Sequence, residues 1–288
     1  LDTITHTLFG AALYGSLDKQ NFSKSQKQAF FITAIGASQI PDIDVVSQLW
    51  DTEGQYQMWH RGITHSIFLA PFWALLFFLI IWALFRYKDR KIFWLALIGV
   101  AIHNTSDLFN AWGTGFLEPF LNTRITFGTI SIIDFVFWTI IGIAFFASRK
   151  NPGKAPHNYR LAWVFMIVHV TLQSIQGYFL YEQYKTENNQ VALSASFIPW
   201  HFQIIDKTDS QVHIYSDNIF MKPKLEYSLE SKEDADLEEL FAKRPEARTL
   251  YEWSPFVVVV DDEKQLGIYD PRFYRNGQSF LFEYIKKN

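Results

Sequence analysis

Eight side chains in the first half of the chain have types and spacings that could hold metal ions: His6, Asp42, Asp44, His60, His65, His103, Asp107 and Asp134. His103 and Asp107 stand four apart, so a helix would project both from one face, about one turn apart. There an imidazole and a carboxylate can bind one ion or two adjacent ions. Taken alone, the pair is more simply a buried histidine bonded to an aspartate, but in a membrane helix both groups are expensive to bury, which favours function. Pro41-Asp42-Ile43-Asp44 presents two carboxylates after a proline-fixed turn. Such oxygens suit hard or borderline cations and can bridge two of them; the plainer reading makes Asp44 the cap of the next helix. In His60-Arg61-Gly62-Ile63-Thr64-His65 the two imidazoles cannot share a helical face, although a turn through Gly62 would let both reach one centre. Arg61, between them, offers a planar fork of donors suited to phosphate. His6 and Asp134 each stand near the start of an apolar run, where singly they read as caps. His157, His169, His201 and His213 have no acidic neighbour at ligand spacing, and His169 reads as a hydrogen-bonded histidine within a bundle.

Other chemistries are thinly represented. The chain has no cysteine, which removes thiolate ligands, cysteine nucleophiles and disulfides together. Its net charge of -3 supplies no basic field for nucleic acid. There is no Gly-x-Ser-x-Gly elbow, phosphate-binding glycine loop or His-Glu-x-x-His pair. Four histidines and at least three aspartates converging at one depth would fit a hydrolytic site of two or three metals, which hold the attacking and leaving oxygens. Zinc suits such a mixed imidazole and carboxylate set, with manganese as the other option.

The elements that must position these groups are apolar. Residues 66–85 carry no charge, close to the roughly 20 residues that span about 30 Å of hydrocarbon. Residues 161–181 are likewise uncharged, and residues 92–110 and 130–147 are equally apolar but carry His103, Asp107 and Asp134 toward one end. These four read as membrane spans. Two shorter segments, 4–17 and 26–40, hold small residues that permit close helix packing. The basic loops at 86–91 and 149–160 would be cytoplasmic. That orientation sends every candidate ligand to the outward end of its helix. The expected fold is therefore a mainly α membrane bundle of about six helices, four of them spans, over residues 1–184, followed by a small extracytoplasmic α+β domain at 185–288. In the latter, residues 200–205, 211–215, 256–260, 265–269 and 280–285 read as strands and 232–244 as a charged helix. No signal peptide is visible, so insertion would rely on the helices themselves.

The order Asp2-x-x-Thr5-His6, Pro41-Asp42-x-Asp44, His60-Arg-Gly-x-Thr64-His65-Ser66 and His103-x-x-x-Asp107 resembles the YdjM-like family of bacterial membrane-bound metal-dependent hydrolases. Asn110-Ala111-Trp112-Gly113-Thr114-Gly115, Glu118-Pro119-Phe120 and Ile132-Ile133-Asp134 also look like that family's later signature, especially its YfhP-like branch. The match covers roughly residues 1 to 147; Glu118 departs from the apolar or small residue expected there. The ligand order is more distantly similar to zinc-dependent phospholipase C and P1-type nucleases. By that resemblance Asp44 and Asp107 would bridge metals and His6, His65 and His103 would be terminal ligands. Asp42, also a possible general base, His60 and Asp134 would be further family positions, and Arg61 a phosphate clamp.

The resemblance implies a zinc hydrolase of the cell membrane that acts on a phospholipid or lipid-linked phosphate, with no nucleic-acid partner. Two other classes compete. A transport or ion-handling protein would distribute polar residues through the whole bundle, whereas the cytoplasmic ends here look dry. A metal-stabilised scaffold would use its exterior domain to bind a partner.

Overall fold

The computed structural model describes residues 1–287. In chain order the helices are α1 (Thr3–Gly15), α2 (Lys24–Ala37), α3 (Tyr56–Trp59), α4 (Ala70–Phe85), α5 (Arg90–Asp107), α6 (Phe135–Lys150), α7 (Ala155–Tyr184), α8 (Glu238–Lys243) and α9 (Pro245–Trp253). Two 3-10 stretches, Ile40–Leu49 and Ile63–His65, interrupt the first half. The strands are β1 (Gln190–Ala195), β2 (Phe202–Thr208), β3 (Gln211–Asp217), β4 (Lys224–Glu230), β5 (Val258–Asp261), β6 (Gln265–Tyr269), β7 (Tyr274–Arg275), β8 (Gln278–Ser279) and β9 (Phe282–Lys286).

The chain divides into two compact units. One comprises Leu1–Asp44 with Arg61–Gln173, and the other Val45–His60 with the chain from Ser174 onward. In the first unit, α2 packs on α1, α4 and α5, while α1 also meets α5 and α6. Small residues make these approaches close. A Cβ on Gly10 of α1 would stand 2.8 Å from the Ala34 carbonyl of α2, and one on Gly99 of α5 would stand 3.2 Å from the Ala37 side chain. Phe30, Ile81, Ile92 and Leu95 fill the layer between α2, α4 and α5, and Phe9, Phe137, Ile141 and Met166 fill that between α1, α6 and α7.

Four full spans are not found, and the physical reason lies at the helix ends. Ser66–Leu69 precede α4, with the Ser66 hydroxyl accepting from the Phe68 amide, so that helix is only 16 residues, about 24 Å long. In α5 the charges of Arg90 and Lys91 and the polar run His103–Asp107 leave an apolar centre of about 11 residues, roughly 16 Å. The run at 130–147 becomes helical only after Asp134, which caps α6 by accepting from the amides of Val136 and Phe137. Among the described residues, one helix, Pro152–Tyr184, is long and apolar enough to cross a membrane. Two further bent pairs would each have to serve as one broken span, giving three at most. The expectation of about six bundle helices with four spans is corrected accordingly.

The second unit is β-rich. β1 to β4 form an antiparallel meander, β5, β6 and β9 a second antiparallel sheet, and β7 with β8 a short hairpin. Ile205, Val212, Ile214 and Phe256 pack with Val258 and Tyr269 in its core. The charged helix expected at 232–244 shortens to α8, and α9 follows at once, started by Pro245 at its first position.

Candidate metal centre

Each candidate ligand of the first unit sits at a helix end or in a turn. Asp2 caps α1 by accepting from the amides of Ile4 and Thr5, which puts His6 in the first turn, fully buried. Asp42 and Asp44 lie on the 3-10 stretch after α2, and His65 closes the short 3-10 turn before α4. His103 and Asp107 occupy the last turn of α5, both buried. Arg61 takes a left-handed backbone (φ 58°), a conformation that needs outside support in a residue with a Cβ. Its amide donates to Asp44 Oδ2 at 2.9 Å, and its carbonyl accepts from the Gly115 amide at 2.7 Å. The turn expected through Gly62 is therefore made one residue earlier.

Asp42, His65, His103 and Asp107 converge, with donor atoms all within 4.8 Å of one another. His65 Nε2 is 3.1 Å from His103 Nε2, 3.3 Å from Asp42 Oδ1 and 3.5 Å from Asp107 Oδ2. His103 Nε2 is 3.5 Å from Asp42 Oδ1 and 3.7 Å from Asp107 Oδ2. A tetrahedron built on bonds of about 2.0–2.1 Å has edges of about 3.3–3.4 Å, so these separations suit a zinc-sized ion at the centre.

The neighbouring hydrogen bonds fix both tautomers. His103 Nδ1 lies 2.8 Å from the Ser38 carbonyl, which can only accept, so Nδ1 carries the proton and Nε2 offers its lone pair inward. The Thr64 hydroxyl donates to Asp44 Oδ2 at 3.0 Å; its single proton so committed, it accepts from His65 Nδ1 at 3.0 Å. In the neutral ring His65 Nε2 therefore also faces inward as an acceptor. Burial works against a charge there, but the Asp107 and Asp42 carboxylates outweigh it and raise the pKa, so an ion and a proton compete for that nitrogen. Asp42 Oδ1 and Asp107 Oδ2 are buried and make no hydrogen bond. Four acceptors thus face one another, a repulsion that a cation relieves.

His6 stacks on His103 with ring centroids 3.7 Å apart, and its Nε2 lies 3.2 Å from Asp107 Oδ1, on the other side of that carboxylate. Burial first, then the neighbouring His103, lowers the His6 pKa to about 3, so its ring is neutral and able to coordinate. Burial alone would raise the Asp107 carboxyl, but the Arg61 guanidinium and His6 outweigh it and hold the group well below the usual carboxylate range. The Arg61 guanidinium is itself committed. Nη1 donates to Asn110 Oδ1 at 2.9 Å, Nη2 donates to the Leu1 carbonyl at 2.8 Å, and Nε lies 3.2 Å from Asp107 Oδ2. It is 3 % exposed and positions Asp107 from behind.

Asp134 caps α6 and accepts from His169 Nε2 at 2.9 Å. His60 belongs to the second unit, where it follows α3 and stacks on Tyr56 at 5.2 Å. Glu118 is half-buried, and burial raises its pKa. Ser38 and Thr64 were given no role by sequence reasoning. Thr64 had the signal of standing between Asp44's partner turn and His65, whereas Ser38 acts through its backbone, for which no sequence signal exists.

A largely apolar cavity of about 540 Å³ lies in the same unit, lined by residues that include Phe9, Ile102, Phe109, Trp163 and Met166. Leu1 and Ser106 connect it to the centre: both line it, the Leu1 carbonyl accepts from Arg61, and the Ser106 hydroxyl donates to the His103 carbonyl at 2.9 Å.

Comparison with known proteins adds a family match. The model of the YdjM inner membrane protein family matches residues 1–181. The chain is similar to the uncharacterized protein YfhP of Bacillus subtilis (strain 168), 35% identical over 159 residues. That alignment covers 53% of this chain and 48% of YfhP, so it spans about half of each. No solved structure matches.

Proposed function

The chain belongs to the YdjM inner membrane protein family, and on that premise we propose that it is a membrane-bound metal-dependent hydrolase that cleaves a phosphoester of a phospholipid or lipid-linked phosphate. The observation that carries this reading is the convergence of Asp42, His65, His103 and Asp107, with Nδ1 of both imidazoles engaged outside the centre. Zinc is the ion that this donor set suits best. A bound divalent ion supplies acidified water and a polarised phosphoryl oxygen.

The chain's own groups do the rest. The Asp42 side chain remains 21% exposed while its Oδ1 is buried, so this carboxylate runs from the centre to the surface. Asp42 is thereby placed to accept a proton from an attacking water. Arg61, itself held by Asn110, positions Asp107, while Thr64 and Ser38 aim the two imidazoles. The apolar cavity beside the centre falls within the roughly 300–1,000 Å³ of small-ligand pockets and favours a substrate with a hydrocarbon portion.

The test is elemental analysis of the purified full chain, followed by phosphate or headgroup release from a panel of phospholipids and isoprenoid phosphates. The expected result is bound zinc and turnover that a chelator abolishes and zinc restores. Folded protein with bound zinc and no turnover on any of these would replace the hydrolase reading by that of a metal-tied scaffold.

A further inference from the structure

Two turns of the second unit expose apolar side chains that its sheets leave uncovered. The β1–β2 turn, residues 196–201, exposes Phe197, Ile198 and Trp200, and the β3–β4 turn, residues 218–223, exposes Ile219, Phe220 and Met221. The antiparallel register of the meander puts both turns at one end of the sheet. The β2–β3 turn at the opposite end is Asp209-Ser210, small and polar. Six large apolar residues at one end and none at the other is not a random scatter, and patches of this kind mark a partner or membrane surface.

The neighbouring helix says which. β1 runs back along the C-terminal part of α7, where Leu180 packs with Leu193, Ala195, Phe202 and Ile204. Tyr184, at the end of α7, donates to Asp217 at 2.8 Å, and Gln176 Nε2 donates to the Trp200 carbonyl at 2.7 Å. The β1–β2 turn therefore reaches the level of Gln176. α7 with its leading turn is the one helix among the described residues that is able to cross a membrane unaided, and its uncharged stretch runs to Tyr181 before Glu182. Gln176 lies five residues inside that end, about 7.5 Å along the axis. That is within the about 5–10 Å to which interfacial apolar faces sink at the headgroup boundary. Tyr178 and Phe179 are exposed on α7 near this level, as interfacial aromatic anchors are. Lys222 lies in the second turn, where it would meet anionic headgroups, and Lys224 follows it at the start of β4, paired with Glu226.

We propose that the β1–β2 and β3–β4 turns insert into the bilayer interface beside α7 and dock the meander end-on to the membrane. This proposal is independent of the hydrolase reading. Because the chain has no cysteine, Ile198→Cys, Phe220→Cys and, at the opposite end, Asp209→Cys each create a unique labelling site. The full chain, labelled with an environment-sensitive fluorophore, is reconstituted into phosphatidylcholine–phosphatidylglycerol vesicles with and without brominated acyl chains. Labels at 198 and 220 should emit at shorter wavelength and lose emission to the brominated lipid, while the label at 209 should respond only to aqueous iodide. Labels at 198 and 220 that behave like the one at 209 would overturn the proposal. Labels shielded from both quenchers would overturn it too, by showing that protein covers the turns.

Discussion

Thr64→Val tests the orientation of the centre without touching a ligand. Valine keeps the shape of threonine and removes only the hydroxyl, which bonds Asp44 at 3.0 Å and His65 Nδ1 at 3.0 Å. Asp44 keeps the Arg61 amide as a donor, so the local backbone retains its tie. His65 loses the acceptor that fixes its tautomer, and a buried donor left unsatisfied costs about 1–3 kcal/mol. Loss of such an outer partner lowers metal affinity by about 10–100-fold. The geometry selects the lower end of that range: Asp44 Oδ2 already stands 3.6 Å from His65 Nδ1, and a small shift would let it accept directly. The expected loss is therefore about tenfold, or about 1.4 kcal/mol. Competition with a chromophoric chelator measures it, and Thr64→Ser should restore wild-type affinity. A folded valine variant that binds zinc as tightly as the wild type would refute the proposed relay.

His169→Phe should lower the thermal midpoint and leave metal content unchanged, because it removes one donor from the buried Asp134 carboxylate, which keeps the Val136 and Phe137 amides, a loss of about 1–3 kcal/mol; a drop in bound metal would instead place Asp134 at the centre. Gly10→Ala should destabilise by about 1–3 kcal/mol, since its Cβ meets the backbone of α2 at Ala34 and cannot push it aside cheaply, and a neutral result in thermal unfolding would mean that the α1–α2 contact is looser. Chelation should also lower the thermal midpoint, by the equivalent of about 4 kcal/mol at a free metal concentration 1,000 times the Kd, whereas an unchanged midpoint would mean that no ion binds the folded state.

Much of the site was visible in the residues, because His103 and Asp107 announce themselves by helical spacing and Asp42, Asp44 and His65 by their turns. Their mutual distances were not, since they depend on how closely α2 approaches α5, which the small side chains of Ala37 and Gly99 decide. Arg61 illustrates a different limit. Its type suggested phosphate binding, yet whether a guanidinium meets a ligand or a neighbour depends on Asn110, 49 positions away, and on the Leu1 carbonyl. The strands at 211–217 and 265–269 were legible from their β-branched and aromatic residues, while β1 and β4 were not. β4, Lys-Leu-Glu-Tyr-Ser-Leu-Glu, does alternate polar and apolar residues as a half-exposed strand should, but its three charges and four exposed residues give it little of the β-branched and aromatic content by which the other strands are read.

The misjudged spans and the recognised ligands have one cause. A metal donor in the middle of a helix has its backbone groups already paired, whereas one at a helix end or in a turn can be oriented by free amides and carbonyls nearby. Residues in and beside this centre use that freedom: His6 follows the Asp2 cap, His103 leans on the carbonyl of Ser38 just beyond α2, and the Arg61 amide ties down Asp44 beside the His65 turn. The cost is helix length. The segments that bring His65, His103 and Asp107 to the centre give up part of their apolar run to a turn or a polar end, so α4 and α5 fall short of a hydrocarbon thickness although their surroundings read as long enough to cross it, and α6 is shortened by its Asp134 cap without supplying a ligand. The continuous span is left to α7, which contributes no residue to the converging ligand set and is free to run for 30 residues. Hydropathy counted along this chain therefore overestimates its spans in the segments that carry chemistry, and it is most accurate in the one that carries none.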